Sequence, residues 1–307
     1  MKGSMAETVS PTVARRRVRL ALREARERAE LTQLQVAEEM EWSLSKVIRI
    51  EKGDVNISPN DLRPLLGYLG IKDRALVNSL LADARLARSR QHMNWWQESE
   101  FRDLTDPMRQ YIEYEAVAVA VRSFTIRYVP GPLQTPEYAR ALTGSFGDEF
   151  ASAQIELVLE ARQRRRQSIL PRLGELKFYA VFDEAVFMRH IGGPEVFANQ
   201  LRELHRLAVG GRIKLRMLPF SLIDPIANNA SFDLLSLTEG AEEASSEVLY
   251  RENGYIDELI EDSPSTARHL IRFNQLWRIA TNETDTIDYI GRQIKALDSL
   301  ANSDSGS

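Results

Sequence analysis

Ser45, Lys46, Arg49 and Lys52 recur along one flank of a short stretch whose other flank holds Val47 and Ile50, spaced i, i+3. Hydroxyl and guanidinium groups side by side on a helix can donate to base edges, and ammonium groups beside them can neutralise phosphates. Such a rod suits the major groove of DNA. Chemistry of the enzymatic kind has no comparable constellation. The chain has no P-loop, no GxGxxG and no GxSxG elbow. His92, His190, His205 and His269 are scattered without the spacing of a metal site, and there is no cysteine. Gly192-Gly193-Pro194 opens a helix, either as an anion site or as a plain turn. Asp183 and Glu184 follow an apolar strand, where α/β sites gather, but the simpler role of Asp183 is to cap a helix over 185–190. No catalytic residue, cofactor or metal is expected.

The cationic flank needs elements that hold it. Thr32 is an N-cap candidate before a polar helix with apolar Leu34, Val36, Ala37 and Met40; Glu41-Trp42 makes a turn; Ser43 is a cap candidate for the second helix, which ends at Gly53. Leu31-Thr32-Gln33, Val36-Ala37, Ser43, Ser45-Lys46-Val47, Arg49-Ile50-Glu51 and Gly53 together resemble the helix-turn-helix of XRE (Cro/C1-type) transcriptional regulators. The resemblance implies a five-helix bundle over about residues 13–80, double-stranded DNA as partner, and a homodimer on two half-sites. In that setting Gln33 and Ser43 anchor phosphates, while Leu44, Ser45 and Arg49 face base edges. Arg49 is the expected bidentate reader of guanine and Leu44 the contact to a thymine methyl. Lys46 and Lys52 sit on the backbone, and Ile48 either points at DNA or packs on the following helix. The family often has glycine where this chain has Glu41. Either that residue is strained in the left-handed region, at roughly 1 kcal/mol, or the turn differs.

Upstream, a helix over 14–29 carries Val18, Leu22, Ala25 and Ala29 on one stripe and Arg15, Arg16, Arg17 and Arg19 at its start. Positive charge there opposes the helix dipole, so Arg16 and its neighbours are either phosphate contacts or a solvated face. Downstream, Ser58-Pro59 starts a helix with Leu62, Leu65, Leu66 and Leu69, with Pro64 inside it, and 71–90 reads as a fifth helix. Residues 14–53 hold ten Lys/Arg and seven Asp/Glu, a local +3 on a chain of net charge −4. A basic module on an acidic body can bind phosphate while the body discourages non-specific adhesion.

At 307 residues the chain is long enough for two or three domains, and 43% hydrophobic with 27% charged residues is a globular composition. No stretch approaches the ~18 apolar residues of a membrane span. The N-terminus lacks an apolar signal core, and the absence of cysteine is compatible with the cytoplasm. A cytoplasmic, nucleoid-associated protein is expected, with no membrane partner.

The remainder alternates. Trp95-Trp96 either binds a partner or seats the next domain on its linker. Residues 108–126 read as one apolar-rich helix carrying Glu113 and Glu115, each expected to pair with a cation among Arg122, Arg127, Arg140 and the 162–166 group, or else to line a ligand pocket. With Arg122, Arg127 and Gln134, Glu113 forms the expected pocket set. Helices over 154–170, 194–208, from Ser263-Pro264, and 285–300 separate strands at 176–182, 213–218, 232–237 and 247–250. The segment 239–262 holds nine carboxylates against Arg251, as a basic-partner dock or a solvated loop. Tyr128–Arg140, Arg162–Gln167, Phe182–Ala185, Gly192-Gly193 with Gln200-Leu201, and Met217–Phe220 resemble a domain of unknown function (DUF5753-like) that follows the helix-turn-helix in actinobacterial regulators. Pro132 replaces its usual leucine.

The fold class expected is therefore multidomain, α and α/β: a five-helix bundle, then a helix-rich α/β domain with a mixed sheet of about four strands. The expected division is a tag-like tail at 1–12, the DNA-binding domain at 13–82, a linker at 83–105, the α/β domain at 106–301 and a frayed tail at 302–307. The expected function is sequence-specific regulation of transcription, the second domain sensing an unidentified small-molecule effector or binding a partner and mediating dimerisation. The alternative is an interaction module, antitoxin-like or of the sigma/anti-sigma kind, that holds a small protein encoded nearby.

Overall fold

A computed structural model describes residues 10–89, 95–144, 152–224, 230–238, 246–252 and 256–304, the stretch 301–304 by its backbone alone. The ends of the two expected tails, positions 90–94 of the linker with His92, and residues 239–245 and 253–255 of the acidic segment lie outside the described residues. The chain divides into two compact units, Met1–Met93 and Asn94–Ser307.

The first unit has five helices: α1 Pro11–Arg28, α2 Gln33–Glu39, α3 Leu44–Lys52, α4 Pro59–Tyr68 and α5 Arg74–Ala87. Val18, Leu22, Val36, Val47, Ile50, Leu62, Leu66 and Leu81 form its buried core. Burying these aliphatic side chains contributes about 1.5–3 kcal/mol each, which short helices such as α2 need to persist. Serine or threonine caps four helices, and at α2 Thr32 and Gln35 form a reciprocal capping box. Glu41 takes the left-handed region at φ 54°. Trp42 N–H donates to the Ala37 carbonyl at 2.8 Å and Glu41 N–H to that of Glu38, so α2 closes in a Schellman turn without glycine. The strained alternative is the one adopted. Pro64 lies inside α4 without ending it.

The second unit is built on a mixed sheet of six strands in the order β3-β2-β1-β4-β5-β6. They are β1 Ala120–Thr125, β2 Lys177–Asp183, β3 Lys214–Leu218, β4 Phe232–Ser236, β5 Glu247–Glu252 and β6 Asp257–Ile260. β1, β2 and β3 run parallel, and β4, β5 and β6 continue antiparallel. Two strands are additional to the four expected. The helix expected over 108–126 ends early: α6 is Asp106–Glu115, and the residues after it form β1, the sheet's central strand. Val117, Val119 and Val121 alternate at period two before Phe124 and Thr125, and β-branched and aromatic residues fit a pleated surface. β6 lies in the charged stretch, where apolar alternation is weak.

The other helices are α7 Pro136–Gly144, α8 Ser152–Ile169, α9 Ala185–Met188, α10 Gly193–Val209, α11 Ser263–Ile279 and α12 Glu283–Asp304. Asp262, one residue before the expected Ser263, caps α11. Phe273 and Leu276 of α11 cover one sheet face over Phe124, Val181, Leu234 and Leu249. Phe273, Leu276 and Ile290 are buried in the unit's own core. Tyr111 of α6 stacks on Tyr250 of β5, centroids 4.4 Å apart, and covers the other face.

Candidate functional site

On α3 the two flanks separate by burial. Val47 and Ile50 are each 4% exposed, whereas Ser43, Leu44, Ser45, Arg49 and Lys52 are exposed and Ile48 is half-buried. The Ser43 hydroxyl accepts the Lys46 backbone N–H at 3.2 Å, and Asp54 N–H closes the far end on the Arg49 carbonyl at 2.9 Å beyond left-handed Gly53. The Arg49 guanidinium has no hydrogen bond or ion pair among the described residues. Lys46 does: its ammonium lies 3.2 Å from Asp61 and 3.7 Å from the centre of the Trp42 ring.

Gln33 and Arg16 are placed otherwise than a free phosphate contact requires. Gln33 Nε2 donates to Glu51 at 2.8 Å. Arg16, only 3% exposed, does not present its guanidinium to a phosphate in this structure. A sequence reading of helix faces missed the reason for the first. Glu51 accepts Nε and an NH2 of Arg26 at 2.6 and 3.0 Å as well as Gln33. One carboxylate thus joins α1, α2 and α3. The signal was present, since Glu51 stands four residues after Val47 and so on the buried stripe.

In the second unit a cavity of about 330 Å³ lies on the sheet face opposite α11. Its walls come from the ends of β1, β4 and β5, from α8, and from the Tyr128–Gln134 segment. That segment is rigid. Gln200, fully buried on α10, accepts Thr135 N–H at 2.7 Å and donates to the Leu133 carbonyl at 2.9 Å. Gln134 donates to the Val129 carbonyl at 2.7 Å, and Pro132 is buried in the leucine position.

Of the expected pocket set, Arg127 and Gln134 line the cavity. Arg122 lies on the opposite face beside Leu234, donating to Ser236 Oγ at 2.6 Å. Strand alternation explains this, since Arg122 and Ser123 point to opposite faces. Glu113 does not line the cavity; Glu115 instead meets the expected cation, holding Arg165 through two bonds of 2.9 Å. Trp95 and Trp96 pack with Phe101, Leu104 and Ile112 in a core cluster of this unit. The sequence reading offered Arg162 only within the 162–166 group of cations, and missed Thr143, Tyr128, Glu252 and Asp233. Only Asp233, a carboxylate inside an apolar strand, carried a signal.

Burial sets the electrostatics here. It alone would lower the Arg165 pKa, but the Glu115 carboxylate raises it further and keeps the charge fixed. Burial lowers the pKa of Arg162, against a smaller opposing effect of Glu252. It raises Asp233 to about 6, although hydrogen bonds from Ser123 and Tyr111 hold it down. A carboxyl raised in the folded state lends stability that is full below its ordinary 3.8 and lost as pH rises through about 6. The stability of Asp233→Asn relative to the parent should therefore climb across that window and level off above it. Calorimetry at stepped pH checks this; a difference that stays flat would mean the carboxyl is ionised throughout.

Two family matches align with these units. A helix-turn-helix domain matches residues 17–80, and the domain of unknown function DUF5753 matches residues 108–292. No curated protein and no solved structure matches this chain. No helix among the described residues is long and apolar enough to cross a membrane.

Proposed function

Because this chain belongs to the DUF5753 family and carries a helix-turn-helix domain before it, we propose that it is a sequence-specific, homodimeric transcriptional regulator whose second unit senses a small molecule. That it is a DNA-binding regulator follows from the helix-turn-helix domain; the specificity, the dimer and the sensing are our reading. One observation carries the specificity: α3 buries Val47 and Ile50 and leaves Ser45, Arg49 and Lys52 open, with both helix ends satisfied internally. A rod with its caps complete and with Arg49 and Lys52 exposed needs no rearrangement of its backbone to enter a groove. At nine residues α3 reads few base pairs, so two copies on two half-sites supply the length a regulator needs. The cavity supports sensing, as its volume lies at the small end of ligand pockets.

Duplexes retained by the full chain from a random library give the test. Arg49→Ala should lose about 1–3 kcal/mol of discrimination at one base pair per half-site. Lys46→Ala should weaken all duplexes alike and lower the salt slope by about 1. Equal binding of the parent and Arg49→Ala to the selected duplex, or no retention of any duplex at low salt, refutes the reading.

A further inference from the structure

The groups bordering the cavity differ in what already answers them. Asp233 accepts from Tyr111 at 3.0 Å and from Ser123, and Asp257 accepts from Thr105 at 2.6 Å and from Tyr250. Glu252 accepts from Tyr128. Arg165 is held by Glu115, and Arg127 donates to the Glu252 carbonyl at 2.6 Å. Arg127 and Arg162 are the two with neutral partners only, and Arg162 is the one whose charge burial disfavours: it has one bond of 2.7 Å to the Gln134 amide oxygen, and no carboxylate within ion-pair distance among the described residues. A guanidinium has five donors in a planar fork, and this one lines the cavity with a single hydrogen bond made. Desolvation already lowers its pKa, the mark of a charge that burial leaves poorly compensated. Independently, the Thr143 hydroxyl on the same cavity is buried and has no hydrogen-bond partner among the described residues. Between these polar points the wall is apolar, with Leu104, Met108, Leu157 and Val158.

We infer that the cavity of the second unit takes a small monocarboxylate with an apolar body, its carboxylate seated on the Arg162 fork and its body against Leu104, Met108, Leu157 and Val158. A planar anion matches the guanidinium bidentately and answers the unmatched donors without disturbing Gln134. Apart from the exposed Asp103, an ammonium ligand would meet carboxylates that already have donors, and it would face Arg162 with like charge. This names the ligand class for the sensing role proposed above and rests on that role.

The test uses the full chain and three probes sharing one body: 4-phenylbutanoate, its amide and 4-phenylbutylamine. Calorimetric titration reads affinity, and tryptophan fluorescence reports occupancy, because Trp95 and Trp96 pack on the Leu104 and Met108 that line the cavity. On the parent, the acid should bind about tenfold or more tightly than the amide, and the amine not at all. Arg162→Gln should remove that preference and leave the weak amide affinity unchanged. Arg164→Gln, two residues along α8 in a partly exposed pair with Glu160, should keep it. Equal affinity for acid and amide, tighter binding of the amine, no binding of any probe at millimolar concentration, or unchanged acid binding by Arg162→Gln each overturns the assignment. The head-group ranking is read on the parent itself, so a variant that folds poorly does not spare it. The readout is probe binding and not duplex retention, so failure here leaves the DNA-binding reading standing.

Discussion

Glu115→Ala is expected to destabilise the second unit by about 3–5 kcal/mol. The carboxylate is 2% exposed and holds Arg165 Nε and an NH2 through two bonds of 2.9 Å. Removing it strands a guanidinium whose side chain is only 9% exposed. The surroundings are built to that guanidinium and cannot collapse onto the gap. It lies over the Tyr111 ring at 5.0 Å, and a side chain at Gly131 would start 3.1 Å from its NH1. Arg172 adds to the dependence, binding the carbonyls of Glu115 and Ala118 at 3.1 and 2.6 Å where α6 ends. Glu115→Leu with Arg165→Met should return most of the loss, because two apolar groups need no compensation. Glu160→Ala, which removes the exposed partner of Arg164, should cost under about 1 kcal/mol. Urea unfolding followed by far-UV circular dichroism measures all three. A Glu115→Ala cost no larger than that of Glu160→Ala would show the pair to be incidental.

Glu51→Ala is expected to act as strongly on the first unit, again by about 3–5 kcal/mol, and to abolish duplex retention with it. Its carboxylate is the common acceptor of Arg26 on α1 and Gln33 on α2, while its backbone belongs to α3. Without it Arg26, whose side chain is 13% exposed, keeps only its bond of 2.9 Å to the Leu31 carbonyl and a contact to Glu27. The angle of α3 against α1 and α2 then loses this charged tie. Glu51→Gln should fall between, since the amide still accepts one bond but carries no charge to balance Arg26. Thermal unfolding of the chain and duplex retention on the same preparations separate loss of fold from loss of surface. Retention that survives Glu51→Ala unchanged would remove the network from the binding account.

The two units differ in how much of them was legible in advance. In the first, nearly every element announces itself locally: Thr32, Ser43 and Ser58 cap where caps were expected, and Gly53 ends α3. Glu41 takes the left-handed alternative of its turn, and Glu30, just after α1, is left-handed too without a local signal for it. In the second unit, residues 108–126 carry apolar side chains dense enough to satisfy both periodicities, and length favoured the helix. The answer depended on partners: Ala120–Thr125 became a strand because β2 and β4 flank it. β6 is placed by its pairing with β5, since two of its four residues are acidic.

The sequence by itself determined the cationic rod, its caps, the acidic body and the presence of a carboxylate on α6 that required a cation. Those follow from side-chain chemistry within a few residues of one another, where spacing converts directly into a face. Tertiary structure alone decided which carboxylate and which arginine meet, that Arg122 points away from the cavity while Arg127 enters it, and that Arg162 is left without an anion. Such facts depend on strand register and on residues 50 or more positions apart, as Glu115 and Arg165 are. Sequence pattern does not encode those distances, because burial and pairing are set only when the sheet closes on its helices.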